Sequence, residues 1–247
     1  MKGILAVSIL LASSALAAEP ARFESGTARV SLIELYTSEG CSSCPPADQW
    51  LGSLRQDSGL WKTFVPVEFH VNYWDNLGWK DRLSSPDFTA REYAYASAWG
   101  SPNVYTPCFV RDGAEWRRTW GSSGSIGSLG GGAGQLGLIV AADGGCSCTF
   151  SPGPEAPGSH YLLHVALLGG GITSKPSAGE NEGSVLSHEF VVLGLSEMPL
   201  ETAGHGYEGR LMLPAPSVTN AKRRAVAAWV TRDGQLVPVQ ATGGWLP

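Results

Sequence analysis

The sequence is short of positive charge and nowhere concentrates what it has. Seventeen lysines and arginines stand against twenty-two acids, for a formal net charge of −5, and the one basic cluster is Lys222-Arg223-Arg224. A nucleic acid or an anionic membrane surface is met by a basic stripe, so both are set aside as partners. Also missing is a second Cys-x-x-Cys pair at zinc-finger spacing after Cys41-Ser42-Ser43-Cys44, which argues against a paired-cysteine zinc site. The histidines His70, His160, His164, His188 and His205 show no His-x-x-x-His spacing and no Cys-His or Ser-His-Asp arrangement. No cofactor is expected. Charged residues make up only 16%, while 32 glycines and 16 prolines punctuate the 247 residues, so turns are many and strand outweighs helix.

What is present begins with a processing segment. Lys2, the apolar run Ile4 to Leu11 and Ala15-Leu16-Ala17 fit an export signal over residues 1–18. That run is too short to span a bilayer, and no later stretch is long and apolar enough. The expected destination is the periplasm or beyond, with no membrane contact after cleavage, in a compartment that permits disulfides. Five cysteines are an odd number, so at least one is unpaired within the chain.

The organising stretch is Thr37-Ser38-Glu39-Gly40-Cys41-Ser42-Ser43-Cys44-Pro45-Pro46-Ala47-Asp48. It follows an apolar strand-like run, Val30 to Tyr36, and precedes a helix over 45–56 with Trp50, Leu51 and Leu54 on one face. Two cysteines at a strand-to-helix junction sit near unpaired N–H groups and the positive end of a helix dipole, which raises the thiolate fraction. A second strand is expected at Phe64 to Val71 and a helix near Asp87 to Trp99, started by Ser85-Pro86-Asp87. Asp112-Gly113 predicts a hairpin. Gly121 to Gly134 is Gly/Ser-rich and reads as a linker or loose loop. Strand-like runs follow at Leu136 to Ala141, Tyr161 to Leu168, Ser184 to Leu193, Gly209 to Leu213, Ala225 to Thr231 and Gln235 to Gln240.

The order βαβ–α–Pro–ββ, with Cys-x-x-Cys after the first strand and Tyr105-Thr106-Pro107 before the hairpin, resembles the thioredoxin fold. The chain is also similar to a narrower family of secreted bacterial proteins of unassigned function. That likeness rests on Glu34 to Asp48, His70-Val71-Asn72-Tyr73-Trp74-Asp75, Leu77-Gly78-Trp79-Lys80-Asp81 and Val104-Tyr105-Thr106-Pro107. The expected fold class is therefore an α/β thioredoxin-like domain at 27–120, a linker at 121–135 and an all-β, sandwich-like domain at 136–247. Three departures stand out: Asn72 where an aspartate is expected, Cys108 directly after the loop proline, and the Gly-rich stretch in place of a last helix.

The resemblance implies an exported thiol–disulfide oxidoreductase whose partner is a protein thiol, a protein disulfide or a redox protein. Cys41 is the expected nucleophile and Cys44 the resolving thiol. Pro107, if cis, keeps the dithiol open to an extended substrate. Glu34 falls near the position of a buried carboxylate that takes the resolving cysteine's proton; an outward-facing strand residue is the other reading. Tyr73, Trp79, Tyr105 and Thr106 are candidate substrate contacts, with core packing the alternative for the aromatics and favoured for Trp74. Ser42-Ser43 leave the direction of redox chemistry open. The rival function is a non-catalytic secreted binding protein with structural disulfides or a copper(I) site formed by Cys108, Cys146 and Cys148. For Cys146-Ser147-Cys148 a simple local disulfide is preferred.

Overall fold

A computed structural model describes residues 19–117, 126–127 and 130–247. The expected export signal at 1–18 and residues 121–125 and 128–129 of the Gly/Ser-rich stretch lie outside the described residues. The strands are β1 (Ala21–Glu24), β2 (Ser31–Thr37), β3 (Phe64–His70), β4 (Cys108–Arg111), β5 (Ala114–Glu115), β6 (Gly134–Val140), β7 (Gly145–Pro152), β8 (Tyr161–Gly170), β9 (Ile172–Ser174), β10 (Leu186–His188), β11 (Val191–Pro199), β12 (Glu201–Ala203), β13 (Gly206–Met212), β14 (Arg223–Arg232) and β15 (Pro238–Trp245). The helices are α1 (Pro45–Ser53), between β2 and β3, and α2 (Pro86–Ala98), between β3 and β4.

Local chemistry sets these boundaries. Pro45 and Pro46 occupy the first helical positions of α1, where no N–H donor is needed. The Ser85 side chain accepts the Asp87 N–H and caps α2, and Gly100, at φ 68°, supplies the left-handed residue just past its end. Asp112 and Gly113, at φ 51° and 84°, give β4 and β5 the left-handed turn residues a tight hairpin requires.

The expectation of an α/β domain followed by a separate all-β domain does not hold. Among the described residues 43% lie in strands and 13% in helices, so the protein is mostly β. Eight strands form one mixed sheet in the order β15-β14-β8-β11-β3-β2-β4-β5. β2 and β3 are parallel, as a βαβ unit requires, but β3 is also flanked by β11, which is parallel to it at Val191↔Glu68 and antiparallel to β8. Strands from both parts of the sequence therefore share one hydrogen-bonded layer. The free edge that β3 would otherwise present is covered by β11. The Ser184 to Leu193 run is two strands, because the chain turns at Phe190, at φ 60°, between β10 and β11.

A second sheet, β1-β6-β7-β13-β12, and the ribbon β10-β9 complete the architecture. Alternation along each strand assigns its residues to different cores. On β14, Ala225, Ala227 and Trp229 join α2's Phe88 and Tyr95 in one core. Val226, Ala228 and Val230 meet Leu136, Leu138, Cys146 and Phe150 of the second sheet. On β2, Ile33 and Leu35 pack on Ala47 and Leu51 of α1, while Leu32 and Tyr36 face the α2 core. The large sheet thus carries α2 on one face, and α1 beside the second sheet on the other.

Glu34 alternates with Ile33 and Leu35, so its carboxylate turns to the α2 face. It is fully buried and accepts from Arg91 Nε at 2.8 Å, Tyr95 OH at 2.5 Å and Tyr36 OH at 3.0 Å. Removing one partner of a buried pair leaves an uncompensated charge, which costs about 3–5 kcal/mol. Arg91→Met is expected to lose that much in urea unfolding, and adding Glu34→Gln should recover part of it. Additive losses in the double variant would show that the pair is not coupled.

Candidate functional site

The site lies where β2 ends and α1 begins. Cys41 and Cys44 are disulfide-bonded, and Cys44 is the N-cap residue of α1. The supply of free N–H groups expected at the sulfurs is small. Pro45 and Pro46 have none, and the Ala47 and Asp48 amides both donate to the Cys44 carbonyl, at 2.8 and 3.1 Å. The Ser42 amide and hydroxyl donate to Glu180 Oε2 at 2.9 and 2.7 Å. What remains to favour a thiolate is the helix dipole and a contact of Cys41 Sγ with Ser43 Oγ at 3.3 Å.

Across the dithiol stands the loop before β4. The Thr106–Pro107 peptide is cis, and the Thr106 carbonyl oxygen lies 3.8 Å from Cys41 Sγ. Both cysteines are buried, Cys41 at 1% exposure and Cys44 at 0%. The connection between β9 and β10 is tied to the same loop. Asn181, itself buried, donates through Nδ2 to the carbonyls of Glu39 and Cys41, both at 2.9 Å, beside the Glu180 clasp on Ser42. These two residues lie about 140 positions from the dithiol in sequence, and no local pattern marks them.

The aromatic residues divide. Trp79 Nε1 donates to Glu39 Oε2 at 2.6 Å, Trp74 Nε1 to Thr106 Oγ1 at 2.8 Å, and Tyr73 OH to Glu92 Oε2 at 3.2 Å. They brace the loops around the dithiol. Tyr105 is 43% exposed, and with Glu92, Trp99 and Cys108 it lines a cavity of about 320 Å³. Burial pushes the Glu92 carboxyl up to about 7. Asn72, in place of the expected aspartate, takes a hydrogen bond from the Thr89 hydroxyl on Oδ1 at 2.7 Å, and its backbone N–H donates to that same hydroxyl oxygen at 3.0 Å.

Two expectations are corrected. Glu34 lies on the face of β2 opposite α1 and is committed to Arg91, Tyr95 and Tyr36, so it does not serve Cys44. The cysteines Cys108, Cys146 and Cys148 are free thiols, not a local disulfide and not a cluster. Cys108 belongs to the α2 core, whereas Cys146 and Cys148, on one face of β7, lie between the two sheets. Burial pushes these thiols up, to about 12, 11 and 12 respectively.

Beneath the dithiol loop is a constellation the sequence reading missed. Glu68 and His70, two apart on β3, project to the α1 face. Glu68 Oε1 lies 2.9 Å from His70 Nε2 and 2.9 Å from His188 Nδ1 on β10. His70 Nδ1 lies 2.7 Å from Asp81 Oδ2, which also accepts the Glu39 amide at 2.9 Å. His188 Nε2 is 3.7 Å from Glu39 Oε1, and His188 Nδ1 is 3.8 Å from Asp48 Oδ2. The Thr37 hydroxyl donates to Asp48 Oδ1 at 2.7 Å. The sequence signal was the period-2 pair Glu68-x-His70; nothing local links it to His188.

Burial alone would lower both imidazoles, but Asp81 and Glu68 outweigh it at His70, and Glu68 does so at His188, so both are held above the usual histidine range. Burial and Glu68 push the Asp48 carboxyl up to about 7. Against burial, the two histidines lower Glu68, and His70 lowers Asp81. The stability brought by His70 and His188 is complete below the unfolded histidine value of about 6.5 and is lost as pH rises through their folded values. Asp48 adds to that fall, since its ionisation opposes the fold; Glu68 and Asp81 lose their contribution on the acid side. The urea midpoint in a chelating buffer is expected to fall from about pH 6 to 9. A midpoint that rises over that range would contradict the assignment of these groups.

Comparison with known proteins fits this architecture. A search of curated proteins finds no match. Among solved structures, the crystal structure of a protein from Agrobacterium tumefaciens is 24% identical, covering 89% of this chain and 94% of that one, with a TM-score of 0.59. HBP35 of Porphyromonas gingivalis is 17% identical over 90% of this chain and 76% of that one, with a TM-score of 0.61. At these identities the likeness concerns the fold. A family described as "Protein of unknown function (DUF1223)" matches residues 32–231, from β2 through β14, across both parts of the large sheet. The chain therefore belongs to the DUF1223 family.

Proposed function

We propose that the protein is an exported thiol–disulfide oxidoreductase that acts through Cys41 and Cys44 on protein thiols or disulfides. The observation that carries this reading is the Cys41–Cys44 disulfide at the start of α1, facing the Thr106 carbonyl ahead of Pro107. The other three cysteines are buried thiols pushed well above neutrality, unsuited to attack. Export is supported by the pattern Lys2, Ile4 to Leu11 and Ala15-Leu16-Ala17.

In the reducing direction, the Cys41 thiolate attacks one sulfur of a substrate disulfide. A mixed disulfide forms and one substrate thiolate leaves. The Cys44 thiolate then attacks Cys41 Sγ, forming the Cys41–Cys44 disulfide and releasing the second substrate thiolate. The oxidising direction is the reverse. The Thr106 backbone beside Cys41 Sγ, with the exposed Tyr105 that precedes it, offers a surface for the substrate.

Access requires the Glu180–Asn181 segment to move aside. Asn181 makes two hydrogen bonds to the dithiol loop, each contributing about 0.5–1.5 kcal/mol. Asn181→Ala is expected to speed reduction of Cys41–Cys44 by dithiothreitol roughly tenfold, the equivalent of about 1.4 kcal/mol. An unchanged rate would mean that this segment does not gate the sulfurs. Cys41→Ser is expected to abolish insulin reduction and disulfide-dependent refolding; retained activity would end the proposal.

The burial of both sulfurs favours a second reading, in which the disulfide is structural. The reduction potential in glutathione buffers, with Cys108, Cys146 and Cys148 replaced by serine, separates the two. A value between about −120 and −270 mV matches dithiol exchangers, and a value below about −300 mV marks a structural bond.

A further inference from the structure

We propose that His70, His188, Glu68 and Asp48 form a buried binding site for one divalent transition-metal ion of the zinc class. This inference is independent of the redox reading. The donor atoms of Glu68, His70 and His188 all lie within 4.8 Å of one another, and every one of these side chains is buried. Glu68 Oε1 is 2.9 Å from an inner nitrogen of each imidazole, and Asp48 Oδ2 is 3.8 Å from the inner nitrogen of His188. Donors around an ion bound at about 2.0–2.2 Å stand about 3–4 Å apart, so small shifts bring Glu68, His70 and His188 onto one centre, and Asp48, beside His188, is the side chain to complete it as fourth ligand.

The surroundings match what holds such ions. A ligating histidine usually gives its outer N–H to a carboxylate, which fixes the ring and its tautomer. Here His70 Nδ1 faces Asp81 Oδ2 at 2.7 Å, and His188 Nε2 faces Glu39 Oε1 at 3.7 Å. The Thr37 hydroxyl orients Asp48 in the same way. Two carboxylates with two neutral imidazoles balance a 2+ charge. Imidazole donors select zinc-class ions over the oxygen-seeking calcium and magnesium.

An independent observation points to a ligand. Glu68 Oε2 is fully buried and has no hydrogen-bond partner, and neither do His188 Nε2 and Glu39 Oε1. A buried carboxylate oxygen without a partner is costly. An ion held by both carboxylate oxygens of Glu68 satisfies Oε2 and displaces the protons the imidazoles share with Oε1. The outer nitrogen of His188 is then free to donate to Glu39. The four ligands come from α1, β3 and β10, so the ion would tie three elements that the chain brings together only on folding.

The test uses the full chain with its Cys41–Cys44 disulfide intact, so that this thiol pair cannot bind metal. The chain is unfolded in urea and refolded with zinc or cobalt(II), and free metal is removed by gel filtration. About one zinc per chain by elemental analysis is expected, with cobalt giving visible d–d bands and no thiolate charge-transfer band in the near ultraviolet. Glu68→Gln and His188→Gln should each lower bound zinc below about a tenth per chain. If either variant fails to fold, the wild-type stoichiometry and cobalt spectrum decide alone. Less than about a tenth of a zinc per refolded wild-type chain, a thiolate charge-transfer band, or full retention in both folded variants would overturn the proposal.

Discussion

Glu68 meets the later part of the chain twice. Its backbone N–H donates to the Phe190 carbonyl at 2.9 Å, where β11 joins β3, and its side-chain oxygen takes the imidazole of His188 from β10. The same oxygen takes His70 from its own strand. A carboxylate in a fully buried position is tolerable only when its charge is compensated and its oxygens are bonded. The histidine ladder from Asp81 through His70 and Glu68 to His188 compensates the charge through Oε1 and leaves Oε2 unpartnered. Separating the two parts of the chain would strip His188 from Glu68 and leave β3 with an unpaired edge, which is why the large sheet is continuous.

The dithiol depends on this arrangement indirectly. Glu39, two residues before Cys41, is held by Trp79 through its side chain and by Asp81 through its amide. Asp48, four residues after Cys44, is held by Thr37. Asn181 and Glu180 close over the loop from the connection that leads to β10. The dithiol loop is thus held by buried polar groups on one side and by a segment belonging to the later part of the sequence on another. Burying a disulfide so completely reduces its encounter with large substrates.

Much of the fold's local detail was legible in the residues. Pro45-Pro46, Ser85-Pro86-Asp87 and Asp112-Gly113 each act through a few bonds' worth of steric or hydrogen-bond preference, and α1, α2 and the β4–β5 hairpin form where those preferences put them. β7 was missed: Cys146 and Cys148 drew attention as a possible disulfide, although Cys146-x-Cys148-x-Phe150 alternates as a half-buried strand does. Glu34 shows the limit of strand reading. Alternation separates its face from that of Ile33 and Leu35, but which helix covers which face is set only when Arg91 and Tyr95 arrive.

By itself the sequence determined the Cys41–Cys44 junction, the turn and cap positions, and the parallel β2–α1–β3 unit, because these follow from contacts between residues close along the chain. Only the tertiary structure decided that β11 joins β3, that Glu34 faces away from the dithiol, that Cys108 stands apart from Cys146 and Cys148, and that Asp48, Glu68, His70 and His188 meet. Those outcomes rest on pairings between residues up to about 140 positions apart. A strand's period shows which side chains share a face, but the partner on that face is chosen by burial and charge compensation across the whole fold.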